Sequence, residues 1–269
     1  SSSLPDWARQ ARIERTSGNI SICSSRRSLS SAPAQRSNTK DESIADDLRK
    51  IMRASAQPVA IVTTLIAESS TRQKKSSQLV HGATLSSFTS VSLDPPLVAF
   101  SLRTPSRLAD ALVSSKPDVD TPPSAHFIIS VLSDTQQAIA KAFATPGMEP
   151  YDSTGTTSPQ GEGVHPLETN ETVKSQFAQG VPYLADSVAA FACRVTGYLD
   201  LRKEIKDITW HAKDAASDSS IGDAFAGSRT PAGSVLFLAE IMGVDKVTGE
   251  KGGRGPLVYW QRRFVRTQE

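Results

Sequence analysis

The apolar residues of this chain arrive in short β-branched runs, and that spacing constrains the fold more than any other feature. Val59-Ala-Ile-Val-Thr-Thr64, Leu97–Leu102, His126–Leu132, Ser187–Leu201, Ser234–Val244 and Leu257–Val265 each read as a strand. Each ends at a proline, a glycine-rich turn or a polar loop. Because strands dominate, helices are few and successive strands are joined by turns or variable loops, the pattern predicts a mainly β architecture. A mostly antiparallel barrel of Greek-key type, with a few helices, fits it better than a doubly wound sheet. No run approaches the roughly 18 to 20 apolar residues that a membrane-spanning helix needs.

Helical periodicity is confined to a few places. Ile44, Leu48, Ile51 and Met52 recur at i, i+4, i+7 and i+8, lining one face of a helix that starts near Glu42 and stops before Pro58. Thr104-Pro105-Ser106-Arg107 reads as a helix start, with Thr104 at the N-cap and Pro105 at the first helical position. Ser133-Asp-Thr-Gln136 reads as a capping box opening a helix that buries Ile139 and Phe143. Two segments, about 145–171 and 203–233, are polar or rich in turn-forming residues and read as loop inserts.

Residues 1–39 differ from the rest of the chain: they are rich in serine, hold six arginines and no lysine, and contain only Asp6 and Glu14 as acids. That composition, with Arg27-Ser28-Leu29-Ser30 as a candidate cleavage site, predicts a mitochondrial transit peptide and a matrix location. A disordered tail that carries no address is the alternative. The remainder, 40–269, is expected to be one domain. It holds 24 basic against 26 acidic residues, which gives its folded part no basic face and no ground for nucleic-acid binding. The two cysteines, Cys23 and Cys193, sit in unlike surroundings, excluding a disulfide framework, and Cys193 in its apolar run is expected in the core. His81, His126, His165 and His211 show no metal-ligand spacing, so no metal is expected.

The stretch Gly82-Ala-Thr-Leu-Ser-Ser-Phe-Thr-Ser-Val-Ser-Leu-Asp-Pro-Pro-Leu97 carries the chemistry. In an extended chain Thr84, Ser86 and Phe88 fall on one side and Leu85, Ser87 and Thr89 on the other, giving a row of hydroxyls. Such a row suits the polar edge or ribityl chain of a flavin, or a phosphate. It equally suits a plain strand with one solvated face. The helix start at Ser106 and Arg107 offers free N–H donors, a hydroxyl and a cation, the chemistry of a phosphate site, though plain capping beside an exposed arginine would look the same.

Gly82–Leu97, continuing through Val98-Ala-Phe-Ser-Leu-Arg-Thr-Pro-Ser-Arg-Leu-Ala-Asp-Ala-Leu112, resembles the flavin reductase-like, FMN-binding split-barrel family of fungal or other eukaryotic mitochondrial type. Pro58–Thr64, Phe127–Leu132, Gly180–Val195 and Pro256-Leu-Val-Tyr259 extend the likeness to roughly 45–145 and 178–265. The resemblance implies a homodimeric oxidoreductase that binds FMN or FAD and takes hydride from NADH or NADPH. By motif, Thr84, Ser86 and Ser87 would bond the flavin ring and ribityl chain, Phe88 would lie near the ring, and Ser106 with Arg107 would hold the phosphate. One departure stands out: many family reductases carry Asp-His at the start of a late strand, where this chain has Gly233-Ser234. His165 and His211, both in inserts, are the candidate substitutes. That departure, with the two inserts, leaves a second expectation: a non-catalytic barrel serving as a structural or assembly subunit of a mitochondrial complex.

Overall fold

A computed structural model describes residues 39–67, 78–115, 125–152, 164–178, 180–202, 207–213, 233–247 and 254–267. Residues 1–38, with most of the proposed transit peptide and Cys23, lie outside the described set, as do most of the two inserts and residues 248–253. The chain divides into two units, Ser1–Ala45 and Asp46–Glu269. Helix α1 (Thr39–Ala54) runs across that division, and every strand belongs to the second unit.

Beyond α1 come β1 (Gln57–Pro58), β2 (Ala60–Ala67), β3 (Gln78–Leu85), β4 (Thr89–Leu93), β5 (Pro96–Thr104), α2 (Arg107–Ser114), β6 (Phe127–Val131) and α3 (Gln137–Ala144). The second half carries β7 (Tyr151–Asp152), α4 (Pro166–Thr169), β8 (Thr172–Lys174), β9 (Pro182–Leu184), β10 (Ala189–Asp200), β11 (Trp210–Ala212), β12 (Gly233–Val247), β13 (Leu257–Trp260) and β14 (Arg263–Arg266). The main sheet runs β4-β5-β12-β10-β6-β2-β3-β7 with β11 on β10, and its pairings are antiparallel. The expected mainly antiparallel β architecture is what the chain adopts. No helix among the described residues is long and apolar enough to cross a membrane.

Both faces of β2 are buried, which explains why its sequence reads as a continuous apolar run rather than an alternation. Ala60 and Val62 face one core cluster, with Phe100, Phe127, Phe237, Leu108 and Leu112 of α2. Val59 and Ile61 face a second, with Ile139, Ala140 and Phe143 of α3, Leu167 and Leu257. Phe100 stacks on Phe237 with ring centroids 5.3 Å apart and meets Phe127 edge-on at 5.6 Å. Cys193 is fully buried in the first cluster, as its apolar run predicts.

Several local expectations are corrected. The α2 cap is Ser106, not Thr104: Thr104 is still paired to Gly233 in the sheet, while extended Ser106 accepts a hydrogen bond at Oγ from the Ala109 N–H (3.3 Å). Only half of the box before α3 forms. Gln136 Oε1 accepts from the Ser133 N–H (2.9 Å), but Ser133 Oγ is engaged with Thr135 Oγ1 (3.1 Å). The insert near 145–171 contains β7 and α4, and the insert near 203–233 contains β11. The apolar stripe of α1 exists, yet Leu48, Ile51 and Met52 are exposed.

Leu257–Val265 is not one strand but the β13–β14 hairpin, because Gln261 and Arg262 both take positive φ (49° and 64°). Two left-handed residues between paired Trp260 and Arg263 form the tight turn that matches strand twist. Asparagine and glycine favour it, and for Gln and Arg it costs about 1–2 kcal/mol each. The hairpin is anchored on α1: Trp260 Nε1 donates to the Ala54 carbonyl (2.9 Å) and the Gln261 N–H to the Arg53 carbonyl (3.0 Å).

Candidate functional site

A cleft of about 750 Å³ opens between β3, α3 and the β13–β14 hairpin. Its wall is built by a close approach. A Cβ on Gly82 would stand 2.8 Å from the Val62 carbonyl oxygen of β2 and 3.0 Å from the Phe143 ring of α3, so glycine here relieves the crowding of β3 against both. Thr84, two residues on and on the same face, then donates its hydroxyl to the Ala140 carbonyl of α3 (2.7 Å). Thr84 and Ser86 line the cleft with Val59, Gln137, Lys141 and Thr145, and the hairpin closes it with Tyr259, Arg262, Arg263 and Phe264. Tyr259 and Phe264 form a ring pair 5.3 Å apart.

The six residues expected from the sequence do not converge. Thr84 and Ser86 share the cleft, as alternation requires, but Phe88 packs against the first core cluster instead of joining them. The chain leaves the strand after Leu85, which ends the alternation on which that placement depended. Ser87 turns the other way: its Oγ donates to the Ser101 carbonyl (3.1 Å) and accepts from the Ser101 N–H (3.1 Å). Ser106 and Arg107 do not line the cleft. Ser106 caps α2, and Arg107 donates to both carboxylate oxygens of Glu149 (2.7 and 3.4 Å) on the exposed surface.

Around Arg107 the fold gathers a cluster whose members the sequence scatters. Burial holds the His81 imidazole below its ordinary pKa; Arg107 and His165 push the same way and Glu149 opposes them. His165 is likewise lowered by burial, with its ring stacked on Tyr151 (5.0 Å) and its Nδ1 accepting from the Leu167 N–H (3.1 Å). His211 stacks on Tyr198 (4.9 Å). Both insert histidines are therefore packed against aromatic rings, which their polar sequence surroundings do not foretell.

The sequence reading missed the cleft's other wall: Gln137, Lys141, Thr145, Tyr259, Arg262, Arg263 and Phe264. These residues lie more than fifty positions from Thr84, and nothing local ties them to it. A usable signal was present in the polar triplet Gln261-Arg262-Arg263 between Trp260 and Phe264, which interrupts an apolar run where a turn would.

The sequence profile of the family described as "Flavin reductase like domain" matches residues 52–268, most of the chain. The chain belongs to the flavin reductase-like family. Among its relatives, the NADH:riboflavin 5'-phosphate oxidoreductase of Streptomyces pristinaespiralis is 30% identical over 148 residues, which are 55% of this chain and 64% of that one. The NADH-dependent flavin reductase of a Rhodococcus species matches to the same extent, 30% over 148 residues, 55% and 64%. The chain thus spans somewhat under two thirds of the length of these relatives. Two solved structures share the family's fold. The nitrilotriacetate monooxygenase component B homologue of Mycobacterium thermoresistibile gives a TM-score of 0.51 at 18% identity, covering 85% of this chain and 89% of that one. The NADH:FAD oxidoreductase of Streptomyces globisporus, solved with NAD and FAD fragments, gives 0.50 at 21%, covering 87% and 98%.

The cleft residues fit a flavin. Thr84 and Ser86 present hydroxyl oxygens to the cleft, Tyr259 and Phe264 present ring faces, and the volume lies within the range of small-molecule sites.

Proposed function

We propose that this protein is an NAD(P)H-dependent flavin reductase that binds FMN or FAD along β3 and the cleft beside it. The observation that carries the reading is the pairing of the family match over 52–268 with a cleft containing Thr84 and Ser86 of the motif. The relatives described as acting with NADH on riboflavin 5'-phosphate or on flavin support it. When bound, flavin supplies a two-electron acceptor for hydride from the nicotinamide nucleotide. The residues of this chain bind and orient: Thr84 and Ser86, which line the cleft, toward the ring and ribityl chain; the parts proposed for Ser87 and Phe88 near the ring, and for Ser106 with Arg107 at a phosphate, require a flavin that reaches beyond the cleft. For Arg107 to serve, Glu149 must share or release its guanidinium.

We also propose a homodimer, supported by the exposed apolar stripe Leu48, Ile51 and Met52 and by exposed Val91 and Leu93 on the edge strand β4. A matrix location, with residues 1–39 as the transit peptide, rests on the arginine- and serine-rich, lysine-free composition of that segment.

Gly233-Ser234 favours a second reading, in which the barrel is a non-catalytic structural or assembly subunit. An anaerobic visible spectrum of the purified chain, loaded with FMN and freed of excess, separates the two. Retained flavin that bleaches with NADH or NADPH is the expected result. Retained flavin that stays oxidised removes nicotinamide-driven turnover, and loss of all flavin favours the subunit.

A further inference from the structure

We infer that Lys141, Arg262 and Arg263 form an anion site that takes the phosphate groups of a nucleotide in the cleft. The inference deepens the reading of that cleft as a nucleotide site and rests on it. Among the described residues three cationic side chains line the cleft and no carboxylate does. None of the three makes a hydrogen bond or ion pair to an acidic side chain among the described residues, whereas Arg107, Arg194, Arg202 and Arg254 each have one. Like charges lining one cleft repel one another, and a bound polyanion removes that repulsion.

The backbone gives the second observation. Gln261 and Arg262 both hold positive φ (49° and 64°) in a two-residue turn where asparagine and glycine are the favoured pair. Two long side chains are kept in a conformation they disfavour, at the point where the hairpin meets the cleft. Strain that persists beside a concave site is a pointer to use. Arginine's planar fork matches a phosphate in bidentate fashion and lysine adds a mobile point charge. Thr84, Ser86 and Thr145 add hydroxyls, and the Tyr259–Phe264 pair adds an apolar face for the rest of the ligand. The phosphates belong either to the flavin or to the nicotinamide nucleotide. The chemistry is the same, and the experiment tells them apart.

Inorganic pyrophosphate is titrated into the full chain by calorimetry at low ionic strength, alongside the double variant Arg262→Ala, Arg263→Ala. Saturable binding that weakens with added salt is expected, with affinity reduced at least roughly tenfold in the variant. Binding that is absent, or unchanged in the variant, overturns the inference. Dissociation constants for riboflavin and FMN, and KM for NADH and NADPH, then identify the source. FMN weakened with riboflavin unchanged assigns the phosphates to flavin. A raised KM for the nicotinamide nucleotide with FMN unchanged assigns them to the electron donor. Riboflavin weakened as much as FMN, or no change in either arm, overturns the assignment to a nucleotide phosphate. Pyrophosphate binding in a chain that retains no flavin leaves the anion site standing and removes the flavin reading, so the two fail separately. A second variant, Gln261→Asn with Arg262→Gly, installs the residues the turn prefers. It is expected to raise the thermal midpoint while weakening pyrophosphate, and a raised midpoint with full binding removes Arg262 from the site.

Discussion

Arg202 occupies the space that Gly233 leaves beside it, for a Cβ on Gly233 would overlap Cγ of Arg202. The guanidinium is held by Asp200, with Nε and Nη2 donating to the two carboxylate oxygens at 2.8 and 2.7 Å, and both side chains are close to fully buried. Gly233 begins β12 opposite Thr104, the position where the family resemblance places an aspartate before a histidine. A side chain at position 233 is therefore incompatible with Arg202 where it lies.

Restoring a side chain there is predicted to cost stability. Gly233→Ala should lower the unfolding free energy by about 1–3 kcal/mol, the usual range for overpacking against a side chain that has little freedom to move. In an Arg202→Ala background the same substitution should cost less, and urea unfolding of the four proteins of the cycle reads the coupling. Equal costs in both backgrounds would show that Arg202 does not fill the site.

Ser86→Trp is predicted to abolish flavin retention while leaving the thermal midpoint within a few degrees of the parent. Ser86 is half-buried at the cleft wall just beyond the end of β3, so a bulky ring there enters the cleft and not the core. Flavin absorbance after gel filtration measures retention. A variant that keeps its flavin would move the site away from this strand.

How much of this was legible in the sequence depends on the range of the cause. The strands and the burial of Cys193 follow from local alternation and apolar runs, and the pairing of Thr84 with Ser86 follows from a two-residue period. The opposite wall of the cleft does not: Lys141 and Arg263 share a cleft with Thr84 through the packing of α3 beside Gly82 of β3 and the anchoring of the hairpin on α1 by Trp260. Ser106 and Arg107 show the converse limit. Their residue types suit a phosphate, but the cap and the Glu149 ion pair, formed across 42 positions, are equally good uses of them.

Three histidines set the pH dependence of stability. Burial lowers His81, His126 and His165 in the fold, with Lys213 and Arg194 adding to the effect on His126. In the unfolded chain imidazoles titrate near 6.5, so below that pH the unfolded state binds more protons than the native one. Stability is therefore fully present above about pH 6.5 and is lost as pH falls toward the folded values. Urea midpoints at pH 7.5 and 5.5 should show the loss, and His126→Gln should reduce it. Stability that is flat or rises over that interval would contradict the burial argument.

Cys193 supplies a probe of native-state opening. Its side chain lies wholly inside the first core cluster, and burial in apolar surroundings pushes the thiol well above its usual pKa, so neither access nor thiolate is available for exchange. In a Cys23→Ser background, where it is the sole cysteine, it should resist an aromatic disulfide reagent at neutral pH and react with one equivalent once urea unfolds the chain. The labelling rate below the transition then reports how often the barrel opens around β10 and β12. Rapid stoichiometric labelling without denaturant would mean that this part of the core is open to solvent in the native protein.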